Sequence, residues 1–141
     1  MNEADNMKVL YEIHKEAAEF YQNYLQSANA EAARQYLRGR QIMNETIREF
    51  SLGASSTHWD DLYRHLTEKG FSNDDLLESR LIGKNKNGKY YDRFRSRIMF
   101  PICNASGRVV GFTGRLYETV EGAKYLNSPE STIFKKRETL Y

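Results

Sequence analysis

The sequence predicts an α+β fold, in which a helical amino-terminal portion precedes a small, mainly antiparallel β-sheet. Apolar residues recur with helical spacing through about residues 5–80, whereas about residues 81–135 alternate extended segments with glycine- or proline-containing turns. Residues 80–115 contain nine Lys/Arg and only Asp92 of opposite sign, a net charge of +8 in a chain whose total is +2. We expect one domain over residues 1–141, with a polyanionic partner for its basic part.

Composition excludes several classes of protein. The chain is 40% hydrophobic and 28% charged, which is typical of a globular domain. No apolar run approaches the 18 residues of a membrane-spanning helix, so no membrane partner is expected. No secretory signal is visible at the amino terminus. Cys103 is the only cysteine, which excludes an internal disulfide and a zinc site built on paired cysteines. The cytoplasm is the simplest location.

Two helices are predicted first. Apolar positions from Met7 to Leu25 fall on one face of a long amphipathic helix. Its tyrosines, Tyr21 and Tyr24, could stack on nucleic-acid bases, but an aromatic stripe at helical spacing more often belongs to a core. Asn29 is expected to cap a second helix, and a glycine near its end would allow a left-handed exit.

Short helices separated by tight turns are predicted for residues 44–80. An apolar stripe over residues 59–66 indicates one of them, which Gly70 stops. Ser72, followed three residues later by Asp75, resembles a capping box and indicates another.

The most distinctive stretch is residues 91–102, YDRFRSRIMFPI. If it is extended, its period of two places Arg93, Arg95 and Arg97 on one face and apolar residues on the other. Guanidinium groups match phosphates bidentately, so such a row suits a chain of phosphates. The alternative is a solvated strand face whose arginines pair with local acids.

A β-hairpin is predicted next. An Asn-Gly pair at residues 87–88 precedes the basic strand, and a second turn at residues 104–107 leads into a strand over residues 108–116. Gly111 and Gly114 within that strand indicate a bulge, a close approach of the backbone to another group, or a packed crossing.

An extended segment ended by a proline turn is predicted at residues 124–130, KYLNSPE. Lys124 could meet phosphate, the Tyr125 ring a base, and the Asn127 amide a base edge or sugar, although an ordinary surface turn has the same composition. No phosphate-binding loop, nucleophile elbow or cluster of metal-binding residues is recognisable. The residues alone therefore indicate a module that binds nucleic acid or another polyanion.

Several segments occur in a distinctive order along almost the whole chain. They are YLRGR (36–40), FSLG (50–53), Trp59, YDRFRSRIMFPI (91–102), GFTGR (111–115), KYLNSPE (124–130) and IFK (133–135). In this order they closely resemble bacterial DnaG-type DNA primases. The resemblance implies the amino-terminal subdomain of that family's RNA polymerase core, the part preceding its Toprim fold.

The resemblance also implies a function. The parent would be a nucleotidyltransferase that makes short RNA primers for DNA replication in a bacterium, phage or mobile element, using single-stranded DNA and ribonucleoside triphosphates. Its Mg or Mn would belong to the Toprim domain, its Zn to an amino-terminal module, and its contact with the replicative helicase to a carboxy-terminal module. All three are expected to be absent here, so no cofactor and no complete catalytic set is expected. The alternative is a non-catalytic nucleic-acid-binding or protein-interaction module.

Site residues follow from the same resemblance. Arg40, Arg115 and Lys124 match basic positions that line the template and nucleotide groove. The nucleotide-binding set is Lys124, Tyr125 and Asn127, and the DNA-binding set is Arg40, Arg93, Arg95, Arg97 and Arg115. One departure lies beside Arg40, where the family commonly has Arg-Gly-Leu and this chain has Arg40-Gln41-Ile42.

Overall fold

A computed structural model describes residues 3–118 and 124–135, and it confirms the predicted α+β class. The helices are α1 (Glu3–Leu25), α2 (Glu31–Gly39), α3 (Asn44–Glu49), α4 (Asp61–Glu68) and α5 (Asn73–Glu78), with a 3-10 turn at Ala28–Ala30. The strands are β1 (Gly53–Ala54), β2 (Ile82–Lys84), β3 (Tyr90–Asp92), β4 (Arg97–Cys103), β5 (Val109–Leu116) and β6 (Tyr125–Asn127). Among the described residues, every helix is too short or too polar to span a bilayer.

The strands form two antiparallel sheets. One has four strands in the order β1-β4-β5-β6, and the other is the hairpin of β2 and β3. The predicted hairpin of β4 and β5 is present, and Gly107 in its turn has φ +85°. In the larger sheet Ile98 pairs with Arg115, which pairs with Tyr125. Cross-strand partners share a face, so this row lies on one side of the sheet.

The main core lies between α1 and the larger sheet. Leu10, Ile13 and Tyr21 of α1 are buried in one cluster with Met99 and Phe112 of the sheet. The Tyr21 ring meets the Phe112 ring edge-on, with centroids 5.2 Å apart. Burying a side chain of this size stabilises the fold by roughly 1.5–3 kcal/mol. Tyr21 is therefore a core residue rather than a stacking surface.

A second core holds α2 and α3 against the other side of the sheet. Leu25, Leu37 and Ile47 are buried there with Ile98 of β4. Tyr36 is partly buried at its margin. Because Ile98 belongs to the same cross-strand row as Arg115, this packing brings α2 beside the arginine.

The end of α2 is formed differently from the prediction. Gly39 remains in the helix, and Gln41 adopts the left-handed conformation with φ 61°. Its N–H donates to the carbonyl of Arg38 (2.9 Å) and the next N–H, of Ile42, donates to the carbonyl of Leu37 (2.9 Å), which is a Schellman motif. Asn29 lies inside the 3-10 turn, and α2 begins without a side-chain cap, so the prediction of a cap there is wrong.

Two predicted helix boundaries are confirmed. Gly70 ends α4 with φ +98°, a conformation that glycine adopts without strain. The Ser72 hydroxyl oxygen accepts a hydrogen bond from the N–H of Asp75 (3.2 Å) at the start of α5.

Residues 91–102 do not form one strand. Strand β3 ends at Asp92, β4 begins at Arg97, and Ser96 between them has φ 57°. The backbone changes partners here, because Arg93 N–H donates to the carbonyl of Leu81 whereas Ser96 N–H donates to the carbonyl of Ser56, each at 2.9 Å. The alternation is lost with the strand, and the prediction that the three arginines share one face is wrong.

Candidate nucleic-acid interface

Tyr36 joins two of the predicted DNA-binding arginines. The guanidinium carbon of Arg40, in the exit from α2, lies 5.0 Å from the centre of the Tyr36 ring. Arg115 of β5 lies 5.8 Å from the same ring, and its Nε donates to the Tyr36 hydroxyl oxygen. This hydrogen bond is the main reason that the pKa of Arg115 is raised, so the arginine stays charged.

Strand β6 covers the other side of Arg115. The guanidinium carbon lies 4.6 Å from the centre of the Tyr125 ring, which is 57% exposed. Tyr36, Arg40, Arg115 and Tyr125 thus form one group, which we call the Tyr36 cluster. It combines two fixed cations with an accessible aromatic ring, the elements that bind a phosphate and a stacked base.

The remaining predicted nucleotide-binding residues flank this cluster. Asn127 accepts a hydrogen bond on its amide oxygen from the Thr113 hydroxyl (2.8 Å), across the β5–β6 pairing. Lys124 is exposed, and its main-chain carbonyl accepts from the N–H of Leu116 (3.0 Å). The structure therefore places Lys124, Tyr125 and Asn127 along one edge strand next to Arg115.

Arg95 belongs to a second aromatic group. Its guanidinium carbon lies 4.5 Å from the Trp59 ring centre and 5.7 Å from that of Tyr91. The two rings are 5.2 Å apart, and Trp59 is 48% exposed. Arg95 also donates to the carbonyl of Asp92, which fixes the side chain over the rings. We call Trp59, Tyr91 and Arg95 the Trp59 platform.

Arg93 precedes Arg95 by two residues in the loop between β3 and β4. It is partly buried, and its Nε is buried without a hydrogen-bond partner among the residues that the structure describes. A buried donor of a charged group without a partner is costly, so this position favours a ligand or an ordered water.

Arg97 has a different environment from the other arginines. It is 7% exposed, and its guanidinium donates to the carbonyls of Gly114 (3.0 Å) and Lys124 (3.4 Å). Burial, followed by repulsion from Arg95, lowers the pKa of Arg97. A Cβ on Gly114 would lie 2.8 Å from the Arg97 Cδ, which confirms the predicted close approach at this glycine. Arg97 therefore ties β4 to β5 and to the start of β6.

The two groups of residues are connected through Arg97. Arg95 precedes it by two residues in the chain and lowers its pKa by charge repulsion, and the Lys124 carbonyl is one of its hydrogen-bond acceptors. Arg97 thus connects the segment that carries Arg95 with the main chain at the start of β6, which carries Tyr125.

The sequence did not predict a binding role for three aromatic side chains of these two groups, Tyr36, Trp59 and Tyr91. The sequence could not show that Tyr36 contacts Arg115, because the two residues are 79 positions apart in the chain. Within residues 3–118 and 124–135, no group of three or more His, Cys, Asp or Glu side chains could hold a metal ion.

Comparison with known proteins decides the family. The sequence profile of the family described as "DNA primase catalytic core, N-terminal domain" matches residues 20–141. The chain belongs to this family. This primase-core domain is similar to proteins named DNA primase. The one from Deinococcus radiodurans is 44% identical over 94% of this chain and 22% of the relative. The one from Escherichia coli K12 is 38% identical over 99% of this chain and 24% of the relative. The chain spans about a quarter or less of these curated primases.

Solved primase structures have the same fold. "Structure of the DnaG primase catalytic domain bound to ssDNA" superposes with a TM-score of 0.92 at 38% identity, over 98% of this chain and 44% of that one. The RNA polymerase domain of Mycobacterium tuberculosis primase DnaG, in complex with a double-stranded DNA oligomer with a 6-nucleotide overhang, superposes with a TM-score of 0.85 at 37% identity, over 92% and 41%. The resemblance to DnaG-type primases is thereby confirmed.

Proposed function

We propose that this domain is the template-binding part of a DNA primase, an enzyme that joins ribonucleotides into short primers on single-stranded DNA. The main support is the presence of two groups that each combine arginines with partly exposed aromatic rings, the Trp59 platform and the Tyr36 cluster. Membership of the primase family supports the same activity for the parent protein. We place the parent in the cytoplasm of a bacterium, or in the replication machinery of a phage or mobile element.

We infer two roles for these residues. Arg40, Arg93, Arg95 and Arg115 contact the template backbone, with Trp59 as a stacking surface for bases. Lys124, Tyr125 and Asn127 face the incoming or initiating ribonucleotide, where Lys124 meets phosphate and the Tyr125 ring meets the base. Arg97 is left out of this interface because its guanidinium is occupied by two carbonyls.

The parent's chemistry needs groups from other domains. We propose that Mg or Mn is bound by a Toprim domain, because phosphoryl transfer depends on metal-bridged phosphates. We also propose that an amino-terminal module of the parent binds zinc and that a carboxy-terminal module binds the replicative helicase.

Template binding can be tested on the domain itself. Trp59 is the only tryptophan, so its fluorescence reports directly on the proposed interface. We expect single-stranded DNA to change this fluorescence, with a Kd that rises steeply with salt. Arg95→Gln and Arg115→Gln should each weaken binding about 3- to 30-fold, whereas Lys15→Gln, an exposed cation on α1, should not. Salt-independent binding, or equal effects of all three variants, would contradict the proposal.

The nucleotide-binding role of Lys124 has to be tested in the complete primase, where primer synthesis can be measured. Lys124→Ala should lower primer synthesis far more than template affinity, because a charge on the reacting triphosphate acts mainly in the transition state. A non-catalytic binding module predicts single-stranded DNA binding without any effect of ribonucleotides. Normal primer synthesis by Lys124→Ala would show that the assignment of Lys124 is wrong.

A further inference from the structure

The hairpin of β2 and β3 has a cluster of lysines that the proposed interface does not use. Lys84 ends β2, and Lys86 and Lys89 lie in the turn, all three of them exposed. No acidic residue occurs from position 80 to position 91. Among the described residues, no salt bridge within 4.0 Å reaches any of the three lysines. The turn is therefore a concentration of uncompensated positive charge, and we call it the lysine turn.

The lysine turn has a defined shape. The Asn85 amide oxygen accepts from the N–H groups of Asn87 and Lys89, each at 2.9 Å. The Asn85 N–H donates to the Lys89 carbonyl (2.9 Å), and Gly88 has φ +81°. These bonds involve the backbone and Asn85 rather than the lysine side chains. The cations are consequently held on a preorganised turn, which reduces the entropy cost of binding an anion.

The same hairpin builds the Trp59 platform. Tyr91 is in β3, and its ring lies across Gly83 of β2, where an added Cβ would overlap the tyrosine Cζ. Trp59 accepts a hydrogen bond on its carbonyl from the N–H of Asp92, also in β3. A nucleic-acid strand on the Trp59 platform therefore already rests on this hairpin.

The distance from the platform to the lysine turn suits a polynucleotide. Tyr91 is three or four residues from the middle of the turn, which is roughly 10–13 Å along a strand at about 3.3 Å per residue. Stacked nucleotides are about 3.4 Å apart along a strand, so a strand continuing from Trp59 would pass the turn within about three or four nucleotides.

We propose that the lysine turn is an additional phosphate-binding surface, which holds the single-stranded template where it continues from the Trp59 platform. This inference rests on the proposed function, because it extends the same template path. Its ligand is the sugar-phosphate backbone, so it adds affinity without sequence preference.

Two double variants with the same change in net charge test it. Lys86→Gln/Lys89→Gln removes the two turn lysines and keeps the bonds of Asn85, whereas Lys8→Gln/Lys15→Gln removes two exposed lysines of α1. Binding of two labelled single-stranded oligonucleotides is measured by fluorescence anisotropy as a function of salt. One is about 15 nucleotides long, and the other is about 2 nucleotides long and therefore too short to reach from Trp59 to the turn. For the long oligonucleotide the hairpin variant should lower the log–log salt slope by about 1.4, at about 0.7 per phosphate, which corresponds to roughly 25-fold weaker binding at 0.1 M salt. The short oligonucleotide and the α1 variant should retain the parental slope.

Each other outcome is decisive. A parental slope for the hairpin variant on the long oligonucleotide, while Trp59 fluorescence still responds to DNA, overturns this inference and leaves the proposed function intact. Equal losses in both double variants, or on both oligonucleotides, show a general effect of net charge and also overturn it. Failure of the parental domain to bind single-stranded DNA overturns the proposed function and this inference together.

Discussion

The Tyr36 ring contacts the guanidinium groups of both Arg40 and Arg115. Tyr36→Leu removes the ring that both guanidinium groups approach, and a cation–π contact at an exposed site is worth about 0.5–1 kcal/mol. The two contacts together amount to about 1–2 kcal/mol, so their loss should weaken single-stranded DNA binding by at most about 5- to 30-fold in a fluorescence titration. Tyr36→Phe keeps the ring and loses only the hydroxyl that accepts from Arg115, so its loss should be smaller. Equal losses in both variants would mean that the ring has no such role.

Gln41 has a left-handed backbone conformation, which glycine adopts at a lower steric cost. A non-glycine residue in this conformation costs roughly 1–2 kcal/mol, of which glycine's greater freedom in the unfolded chain offsets about 0.5–1 kcal/mol. Gln41→Gly should therefore raise the free energy of unfolding by about 0.5 kcal/mol, measured by chemical denaturation.

Gly39→Ala is the matched comparison for Gln41→Gly. Gly39 is helical, and an added Cβ would meet nothing within 4 Å, so alanine should stabilise the domain by about 0.5–1 kcal/mol through helix propensity. A large loss of stability in Gln41→Gly would show that the glutamine side chain has a role at the exit from α2.

At the scale of elements, Asp92 links β3 to the start of α4. Its buried carboxylate accepts from the N–H groups of Leu62 (2.8 Å) and Tyr63 (2.9 Å), which are in the first turn of α4. Burial nevertheless raises the pKa of Asp92 to about 7, more than these hydrogen bonds lower it. In α1, burial lowers the pKa of His14 to about 4.

Asp92 and His14 should have opposite effects on the way the free energy of unfolding changes with pH. Between pH 3.8 and about 7 the folded protein binds a proton at Asp92 that the unfolded chain releases, so this contribution is lost as pH rises through 7. Between about pH 4 and 6.5 the unfolded chain binds a proton at His14 that the folded protein does not, so that contribution is lost as pH falls. Each slope is at most about 1.4 kcal/mol per pH unit.

The variants separate the two slopes. In Asp92→Asn, the free energy of unfolding should rise with pH between about 4.5 and 6.3 relative to the parent, and in His14→Leu it should fall. Urea denaturation at several pH values measures both. Parallel profiles for the parent and Asp92→Asn would show that Asp92 does not titrate in this range.

Arg97 connects β4 with β5 and with the start of β6, so it should stabilise the larger sheet. Arg97→Ala leaves the Gly114 and Lys124 carbonyls without their charged donor, and such hydrogen bonds contribute about 1.5–3 kcal/mol. We expect a loss of about 2–4 kcal/mol in the free energy of unfolding. Arg95→Ala, on the accessible platform, should lose less than about 1 kcal/mol and weaken DNA binding instead. Unchanged stability with lost DNA affinity in Arg97→Ala would assign Arg97 to the template interface.

At the scale of the whole molecule, binding and catalysis should separate. Phosphoryl transfer in polymerases depends on bound metal, which the proposed function assigns to a Toprim domain. On that proposal the pure 141-residue chain should bind single-stranded DNA but make no primers with ribonucleotides and Mg²⁺ or Mn²⁺. Detection of labelled primers on a denaturing gel would contradict this expectation.

The sequence by itself determined the elements whose signals are local. Helical periodicity located α1, glycine placed the end of α4, Ser72 the start of α5, and turn residues the hairpin of β4 and β5. The order of motifs along the chain was sufficient to recognise the primase family. Each of these features depends on residues within a few positions of one another, so no knowledge of distant contacts was needed.

Only the tertiary structure decided which arginines are accessible. The alternating pattern predicted that Arg93, Arg95 and Arg97 share one face. However, the Asp92 carboxylate accepts from the N–H of Leu62 in α4, and the Ser96 N–H donates to the carbonyl of Ser56. These distant partners end the strand. Arg97 is then buried under Gly114, whereas Arg95 lies on the exposed Trp59 ring. Partners of this kind are 17 to 42 positions apart in the chain, and only folding brings them into contact.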